Sequence, residues 1–184
     1  MKKQAWLALF LTLILTAGCV APALAGGFTP IRVNGNLRLA VYSAPSFSSW
    51  RGANGKAMCN TDGEVKAAGR VGGWVLIMYY LNHGSNAGGC RVGYVQYSEL
   101  VGLMDNIPPL TFQNTPATIN SSCVLTDDPD FLQTPITYLS SGAHVTYLMG
   151  YQNDYGVRYA YIETTFQGKT VRGFVQWDAI STGW

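Results

Sequence analysis

Residues 93–100 read GYVQYSEL, and residues 173–180 read GFVQWDAI. Each apolar or aromatic position of the first stretch is matched in kind by the second, 80 positions later along the chain. Upstream, residues 41–47 (VYSAPSF) and residues 125–131 (LTDDPDF) share a proline and a final phenylalanine. Two such anchors in the same order and at nearly the same spacing indicate an internal repeat, so we predict a tandem duplication of one small unit.

The hydrophobic pattern within both units is typical of β-strands. Residues 74–80 (WVLIMYY) are β-branched, aromatic and aliphatic, and residues 159–165 alternate between the two faces of a strand. Clusters of Gly, Asn, Asp and Ser separate such segments, and no segment shows a sustained helical period. We therefore predict an all-β protein with two small domains, residues 36–101 and 110–184, joined by a linker over residues 102–109.

Side-chain alternation along the central strand of the first unit defines two apolar faces. Val75 and Ile77 belong to one face, and Trp74, Leu76 and Met78 belong to the other. Only one face of a strand in a small barrel lines its core. The second face must therefore lie toward the surface or toward the partner unit.

Residues 1–25 have the composition of a secretory signal peptide. Two lysines precede an apolar run over residues 6–17, and residues 23–25 (ALA) carry small side chains where a signal peptidase cleaves. The run is too short for a permanent membrane span, which needs about 20 residues. Lipidation of Cys19 is the alternative, although Thr16 stands where a bacterial lipobox carries leucine. We favour a secreted or cell-surface protein that contacts the membrane only if Cys19 is lipidated.

The charge distribution excludes one class of function. The chain carries 12 Lys and Arg against 10 Asp and Glu, and the two excess lysines lie in the leader, so the remainder is neutral. Nucleic-acid binding needs clusters of Lys and Arg that neutralise phosphates, and we expect none here. Two histidines are few for a metal site, and the acidic residues 127–130 lack the spacing of a calcium loop. We expect no metal and no cofactor.

In their order along the chain, these motifs resemble the bacterial SH3-like (SH3b) domain family. The first unit shows a strand ending at residues 44–46 (APS), the segment 73–75 (GWV) and the closing stretch 93–100, and the second unit follows the same order without the Gly-Trp. The resemblance implies two five-stranded barrels, exported and non-catalytic, that bind a cell-wall (peptidoglycan) peptide or glycan or an envelope protein. Gln96 and Glu99 stand where eukaryotic SH3 domains carry Pro and Tyr, so we do not expect polyproline recognition.

Aromatic side chains are the candidate ligand contacts. Small barrels cannot bury all 11 Tyr and the four Trp that lie outside the leader, so some should be exposed, where they suit contact with peptides or sugars. Tyr42 and Trp50 lie in or near the long loop that lines one side of the groove in this architecture. We expect a shallow ligand cleft formed by six residues: Tyr42, Trp50, Trp74, Tyr97, Tyr155 and Trp177.

The cysteines favour a disulfide in an oxidising compartment over a catalytic role. Cys59 and Cys90 enclose the central strand of the first unit, and we predict a disulfide between them because an exported protein meets an oxidising environment. Cys123 aligns with an early strand, so we expect a buried thiol. A cysteine peptidase with Cys123 as nucleophile and His144 or His83 as base is the enzymatic alternative. It is disfavoured because no helix N-terminus follows Cys123 to stabilise a thiolate.

The sequence therefore favours an exported binding protein that is not an enzyme. The alternative is a structural or accessory protein–protein interaction module without a wall ligand. The ligand, the oligomeric state and the number of units that bind are left open by the sequence.

Overall fold

A computed structural model describes residues 27–81, 88–130 and 135–183. The predicted leader, with the lipidation candidate Cys19, and His83 lie outside the described residues. The described chain consists of β-strands with one short helical turn and two 3₁₀ turns, which confirms the all-β prediction. No helix among the residues described is long and apolar enough to cross a membrane.

The described residues of the first unit contain six strands: β1 (Thr29–Pro30), β2 (Arg38–Ala40), β3 (Met58–Asn60), β4 (Val65–Val71), β5 (Trp74–Tyr80) and β6 (Cys90–Gln96). They form an antiparallel sheet of order β1-β4-β5-β6 and a separate ribbon of β2 and β3. A short turn, Gly52–Gly55, lies between β2 and β3, and a 3₁₀ turn, Tyr97–Glu99, follows β6. Because β1 pairs with β4, the first sheet begins upstream of residue 36.

The part of the second unit that the structure describes contains seven strands: β7 (Thr115–Ile119), β8 (Cys123–Thr126), β9 (Pro135–Leu139), β10 (His144–Gln152), β11 (Arg158–Phe166), β12 (Lys169–Gln176) and β13 (Ile180–Thr182). They form one antiparallel sheet of order β13-β7-β10-β11-β12-β8-β9. The 3₁₀ turn Trp177–Ala179 follows β12, as the turn Tyr97–Glu99 follows β6.

The strand order of the first unit recurs in the second. There β7, β10, β11 and β12 correspond to β1, β4, β5 and β6, the strands β8 and β9 correspond to β2 and β3, and β13 is an additional edge strand. A bridge between Tyr42 and Tyr94 joins the β2–β3 ribbon to β6, and the pair of Thr126 with Phe174 joins β8 to β12 in the same way. The strands β4 and β10 each carry a register shift at the corresponding point. No sheet in the described part of the chain closes on itself, so the two five-stranded barrels are not confirmed.

The glycine that opens each repeated stretch lies where two strand backbones approach closely. A Cβ atom on Gly93 would lie 2.5 Å from Cγ1 of Val41 and 2.9 Å from the carbonyl oxygen of Tyr42. A Cβ atom on Gly173 would lie 2.6 Å from the carbonyl oxygen of Thr126. Real Cβ atoms essentially never show contacts this short, so the crossing of the strands requires glycine at both positions.

Both faces of the central strand β5 are buried. Val75 and Ile77 pack in the core of the first unit, whereas Leu76 and Met78 pack against the second unit together with the half-buried Trp74. The predicted alternation is therefore confirmed. The face opposite the core of the first unit lies toward the partner unit.

An aromatic cluster fills the space between the units, and we call it the inter-unit cluster. The rings of Tyr161 and Phe174 lie 4.8 Å apart in it, and neither ring is exposed by more than 1%. Large aromatic side chains contribute much of the apolar surface that such a contact buries. Its buried members are Leu76, Met78, Cys90, Val92 and Tyr94 of the first unit and Leu148, Met149, Tyr159, Tyr161 and Phe174 of the second. Many of the aromatic residues of the chain therefore pack in the contact between the two units.

Buried charges also join the two units. Nη1 of Arg91, which is 7% exposed, donates to Oδ2 of the fully buried Asp128 at 2.9 Å. Nε of Arg91 lies 3.5 Å from Oδ1 of Asp127, and the N–H of Val92 donates to the carbonyl oxygen of Asp127 at 2.8 Å. Oδ1 of Asp128 accepts from the N–H of Asp130 at 3.1 Å, which closes an Asx turn. The acidic loop of the second unit thus serves the contact between units.

Candidate functional site

Three aromatic rings of the first unit form a patch beside the loop that follows β2. The ring centroids of Tyr42 and Phe47 lie 5.7 Å apart, those of Tyr42 and Trp74 lie 5.2 Å apart, and those of Phe47 and Trp74 lie 5.0 Å apart, all in edge-to-face contact. Phe47 is 63% exposed. Tyr42 and Trp74 are half-buried against the inter-unit cluster. We call these three residues the aromatic patch.

Serine hydroxyls hold the loop that presents Phe47. Oγ of Ser43 donates to the carbonyl oxygen of Trp50 at 2.7 Å, and the N–H of Ser43 donates to the same oxygen at 3.0 Å. Oγ of Ser49 donates to the carbonyl oxygen of Ser46 at 2.8 Å. Short hydroxyl side chains favour such local bonds to the backbone in turns. The loop is therefore closed on itself, and Phe47 projects from a fixed position.

A cation stands beside the aromatic patch. Cζ of Arg51 lies 4.6 Å from the ring centroid of Tyr42. Its Nε donates to the carbonyl oxygen of Val41 at 3.1 Å, and its Nη2 donates to that of Ala57 at 2.8 Å. Arg51 forms no ion pair with any carboxylate among the described residues. The patch thus combines an apolar aromatic surface with a positive charge, which suits an acidic peptide or sugar.

The structure brings together two of the six predicted ligand residues, Tyr42 and Trp74, and adds Phe47 to them. Trp50 lies at the far end of the same loop, where it contacts the second unit. Its ring packs edge-on against Phe166 with centroids 6.1 Å apart. Trp50 therefore helps to dock the loop on the second unit.

The other three predicted ligand residues have different neighbours. Tyr97 is 40% exposed, and Cζ of Arg70 lies 4.9 Å from its ring centroid. Tyr155 is 68% exposed in the turn between β10 and β11. Trp177 is half-buried, and Cζ of Arg158 lies 4.4 Å from its ring. The six predicted residues are thus distributed over several surfaces of both units.

The second unit does not repeat the aromatic patch. The strand register places Thr126 where the first unit has Tyr42, and Tyr159 where it has Trp74. Thr126 and Tyr159 are both buried, and Phe131, the sequence counterpart of Phe47, lies outside the described residues. In the described part of the chain, the exposed aromatic patch therefore belongs to the first unit.

Neither Phe47 nor Arg51 is among the ligand residues predicted from the sequence. Phe47 belongs to a repeated anchor, and a repeated phenylalanine favours an interpretation as a core residue. Its immediate neighbours give the contrary signal, because residues 46–49 (SFSS) are otherwise all serine and predict an exposed turn.

The predicted disulfide between Cys59 and Cys90 is absent, and both thiols are free. Cys59 packs in the core of the first unit, whereas Cys90 packs in the inter-unit cluster on the opposite face of the sheet. Sγ of Cys90 instead donates to Oδ1 of Asp128 at 3.4 Å. The prediction was wrong because two cysteines that enclose the central strand in the sequence lie on opposite faces of the sheet in the structure.

Burial raises the pKa of all three described thiols. The pKa of Cys59 is raised to about 12, mainly by burial and further by the charge of Asp62. The pKa of Cys90 is raised by burial first and then by Asp128. Burial and then the charge of Asp178 also raise the pKa of Cys123, which lies half-buried within β8. A protonated thiol is a weak nucleophile, so these surroundings do not favour thiolate chemistry.

Burial raises the pKa of Asp127 from 3.8 to about 6, against the opposing effect of Arg91. A carboxyl group whose pKa is higher in the folded state binds its proton more tightly when the chain is folded. This contribution to stability is complete below about pH 4 and is lost as the pH rises to about 6. We therefore expect the free energy of unfolding of the wild type to fall by roughly 2 kcal/mol over this pH range because of Asp127. The Asp127→Asn variant should not show this fall.

Urea denaturation followed by tryptophan fluorescence at several pH values between 4 and 7 measures this difference. The Asp62→Asn variant, which changes an acidic residue outside the contact between units, is the control. Equal pH slopes for Asp127→Asn and wild type would contradict the raised pKa of Asp127.

Comparison with known proteins gives little that bears on this site. No protein-family model and no curated protein matches the chain. A solved structure of NlpC2 from Trichomonas vaginalis aligns with 85% of this chain at 16% sequence identity and a TM-score of 0.31. The chain spans about half the length of that protein, since the alignment covers 49% of it. A likeness this distant supports neither a fold nor a function.

Proposed function

We propose that this chain is an exported, non-catalytic binding protein with two SH3-like modules, and that its aromatic patch binds a cell-wall peptide or glycan or an envelope protein. The observation that carries the proposal is the exposure of Phe47, at 63%, on a loop fixed by its own hydrogen bonds. A large apolar side chain held in solvent on a rigid loop is typical of an interaction site.

Further observations support parts of this proposal. The two units share one strand order and a close-contact glycine at the start of the closing stretch, as expected for two copies of one SH3-like module. The raised pKa values of the described thiols support a non-catalytic role. Export is supported by the composition of residues 1–25, which also favours a secreted or cell-surface location.

Replacing Phe47 with alanine should weaken retention of the protein by purified cell-wall sacculi by about tenfold, the effect of losing one well-placed aromatic contact. The measurement is co-sedimentation of the purified protein, without its leader, over a range of sacculus concentrations. Met104→Ala removes a large apolar side chain that is 57% exposed outside the aromatic patch, and this control should bind as the wild type does. Wild-type binding by a folded Phe47→Ala variant would refute the assignment of the patch.

An accessory role through protein contact is the second candidate function. It is favoured by the edge strand β9, which carries the exposed Tyr138 and has no further strand beside it in the described sheet. Exposed strand edges can pair with another chain. If sacculi fail to retain the wild-type protein, this function replaces the wall ligand.

A further inference from the structure

A cleft lies between the two units, and no residue of the aromatic patch lines it. Its volume is about 500 Å³, which falls within the usual size range of ligand pockets. Tyr79 and Arg91 of the first unit and Asp127 of the second unit contribute to its lining, and Pro135 and Ile136 of β9 form part of one side. Both units are therefore needed to form this cleft.

The cleft contains two cations that pair with no carboxylate in the part of the chain that the structure describes. Arg38 and Lys56 line it, both are exposed, and neither forms an ion pair with a carboxylate of the described residues. Arg91 differs, because it is already bound by Asp127 and Asp128. Two cations in one cleft without an acidic partner favour a ligand that brings its own carboxylate.

The backbone of β3 adds a second feature that favours a peptide ligand. The carbonyl oxygen of Ala57 accepts from the N–H of Val41, and the N–H of Thr61 donates to the carbonyl oxygen of Leu37. Both partners flank β2. In an antiparallel pair the alternate residues direct their N–H and C=O groups away from the partner strand, and these residues are Met58 and Asn60. Both line the cleft, and β3 is an edge strand of its ribbon. An extended peptide can pair with such an edge.

We propose that this cleft binds an extended peptide with a free carboxylate. The peptide backbone pairs with the outer edge of β3, and the carboxylate lies between Arg38 and Lys56. The site goes beyond the proposed function, because it adds a second surface, separate from the aromatic patch, that takes a peptide with an acidic group. Trp50, which also lines the cleft, supplies an apolar wall for the peptide side chains.

The probe is the peptide Ac-Ala-Ala-Glu-Ala-Ala with a free C-terminus, titrated into ¹⁵N-labelled protein and followed by amide chemical shifts. We expect saturable shifts at Met58, Asn60 and Ile136. The neutral peptide, with glutamine for glutamate and an amidated C-terminus, should bind about tenfold more weakly, since it lacks the charge-assisted bonds. Absence of saturable shifts at these amides, or equal binding of the neutral peptide, would overturn the proposal.

Charge-neutral variants test the cations directly. The double variant Arg38→Gln, Lys56→Gln should bind the acidic peptide at least about tenfold more weakly. Arg32→Gln removes an arginine whose side chain is 72% exposed and paired with Asp105, and this control should bind as the wild type does. Wild-type affinity in the double variant would assign the binding to another surface.

The two proposals fail in different measurements. If sacculi retain the protein through Phe47 and the acidic peptide leaves the cleft amides unshifted, the cleft proposal is wrong and the proposed function stands. If the peptide binds the cleft and sacculi do not retain the protein, the wall ligand is wrong and the peptide site stands.

Discussion

Replacing Arg91 with methionine lowers the free energy of unfolding by about 3–5 kcal/mol, the usual cost of removing one partner of a buried ion pair. Arg91 is 7% exposed and Asp128 is fully buried, so solvent cannot replace the lost cation. Methionine retains much of the arginine stem and its apolar packing. The loss therefore comes from the Asp128 carboxylate, which stays buried between the two units without Arg91.

Urea denaturation followed by tryptophan fluorescence measures this loss. Arg32→Met is the matched control, because the Arg32–Asp105 pair is exposed and exposed pairs contribute at most about 1 kcal/mol. The double variant Arg91→Met, Asp128→Leu should recover part of the stability, since it removes both buried charges. An Arg91→Met variant as stable as Arg32→Met would show that the buried pair does not stabilise the contact between the units.

The all-β character of the chain and its strands could be predicted because they depend on local patterns. The stretch at residues 74–80 is β-branched and aromatic whatever lies beside it, and period-two alternation fixes which side chains share a face. The closing stretch was informative for a related reason. Gly93 and Gly173 begin it because the backbone of a neighbouring segment lies too close there for a Cβ atom. This tertiary contact is therefore visible in the sequence as a repeated glycine.

The packing of one unit on the other could not be predicted in the same way. Alternation shows that Leu76 and Met78 form an apolar face, but it does not say which surface covers that face. The choice of surface depends on contacts such as Arg91 with Asp128, whose residues lie 37 positions apart. The wrong disulfide has the same origin, because Cys90 faces the second unit and Cys59 faces the first core.

The candidate site was predicted in part. Tyr42 and Trp74 are large aromatic residues that the composition marks as surplus, and the bridge of Tyr42 to Tyr94 brings Tyr42 near β5. Phe47 and Arg51 depend on the closed conformation of the loop, which is set by hydrogen bonds of Ser43 and other serines. Such bonds fix a loop only once its ends are held, so sequence pattern alone does not reveal them.

Replacing Gly173 with alanine lowers the free energy of unfolding by about 3 kcal/mol, at the upper end of the cost of overpacking. The new methyl group would lie 2.6 Å from the carbonyl oxygen of Thr126 and 3.0 Å from Cδ1 of Leu125. The oxygen belongs to the backbone of β8, so a rotamer change cannot relieve the contact. Either β12 or β8 must shift, and the shift weakens the pairing of Phe174 with Thr126.

The control separates this clash from the general effect of replacing glycine. Gly73 has no atom within 4 Å of a built Cβ and no positive φ, so Gly73→Ala should change stability by no more than about 0.5 kcal/mol. Gly93→Ala should fall between the two, because its backbone contact, 2.9 Å to the carbonyl oxygen of Tyr42, is longer than the 2.6 Å contact at Gly173, and its 2.5 Å contact is with the side chain of Val41. Thermal and urea unfolding of the three variants give the order. If Gly173→Ala were as stable as Gly73→Ala, the strands β8 and β12 would not cross as closely as the repeated glycine requires.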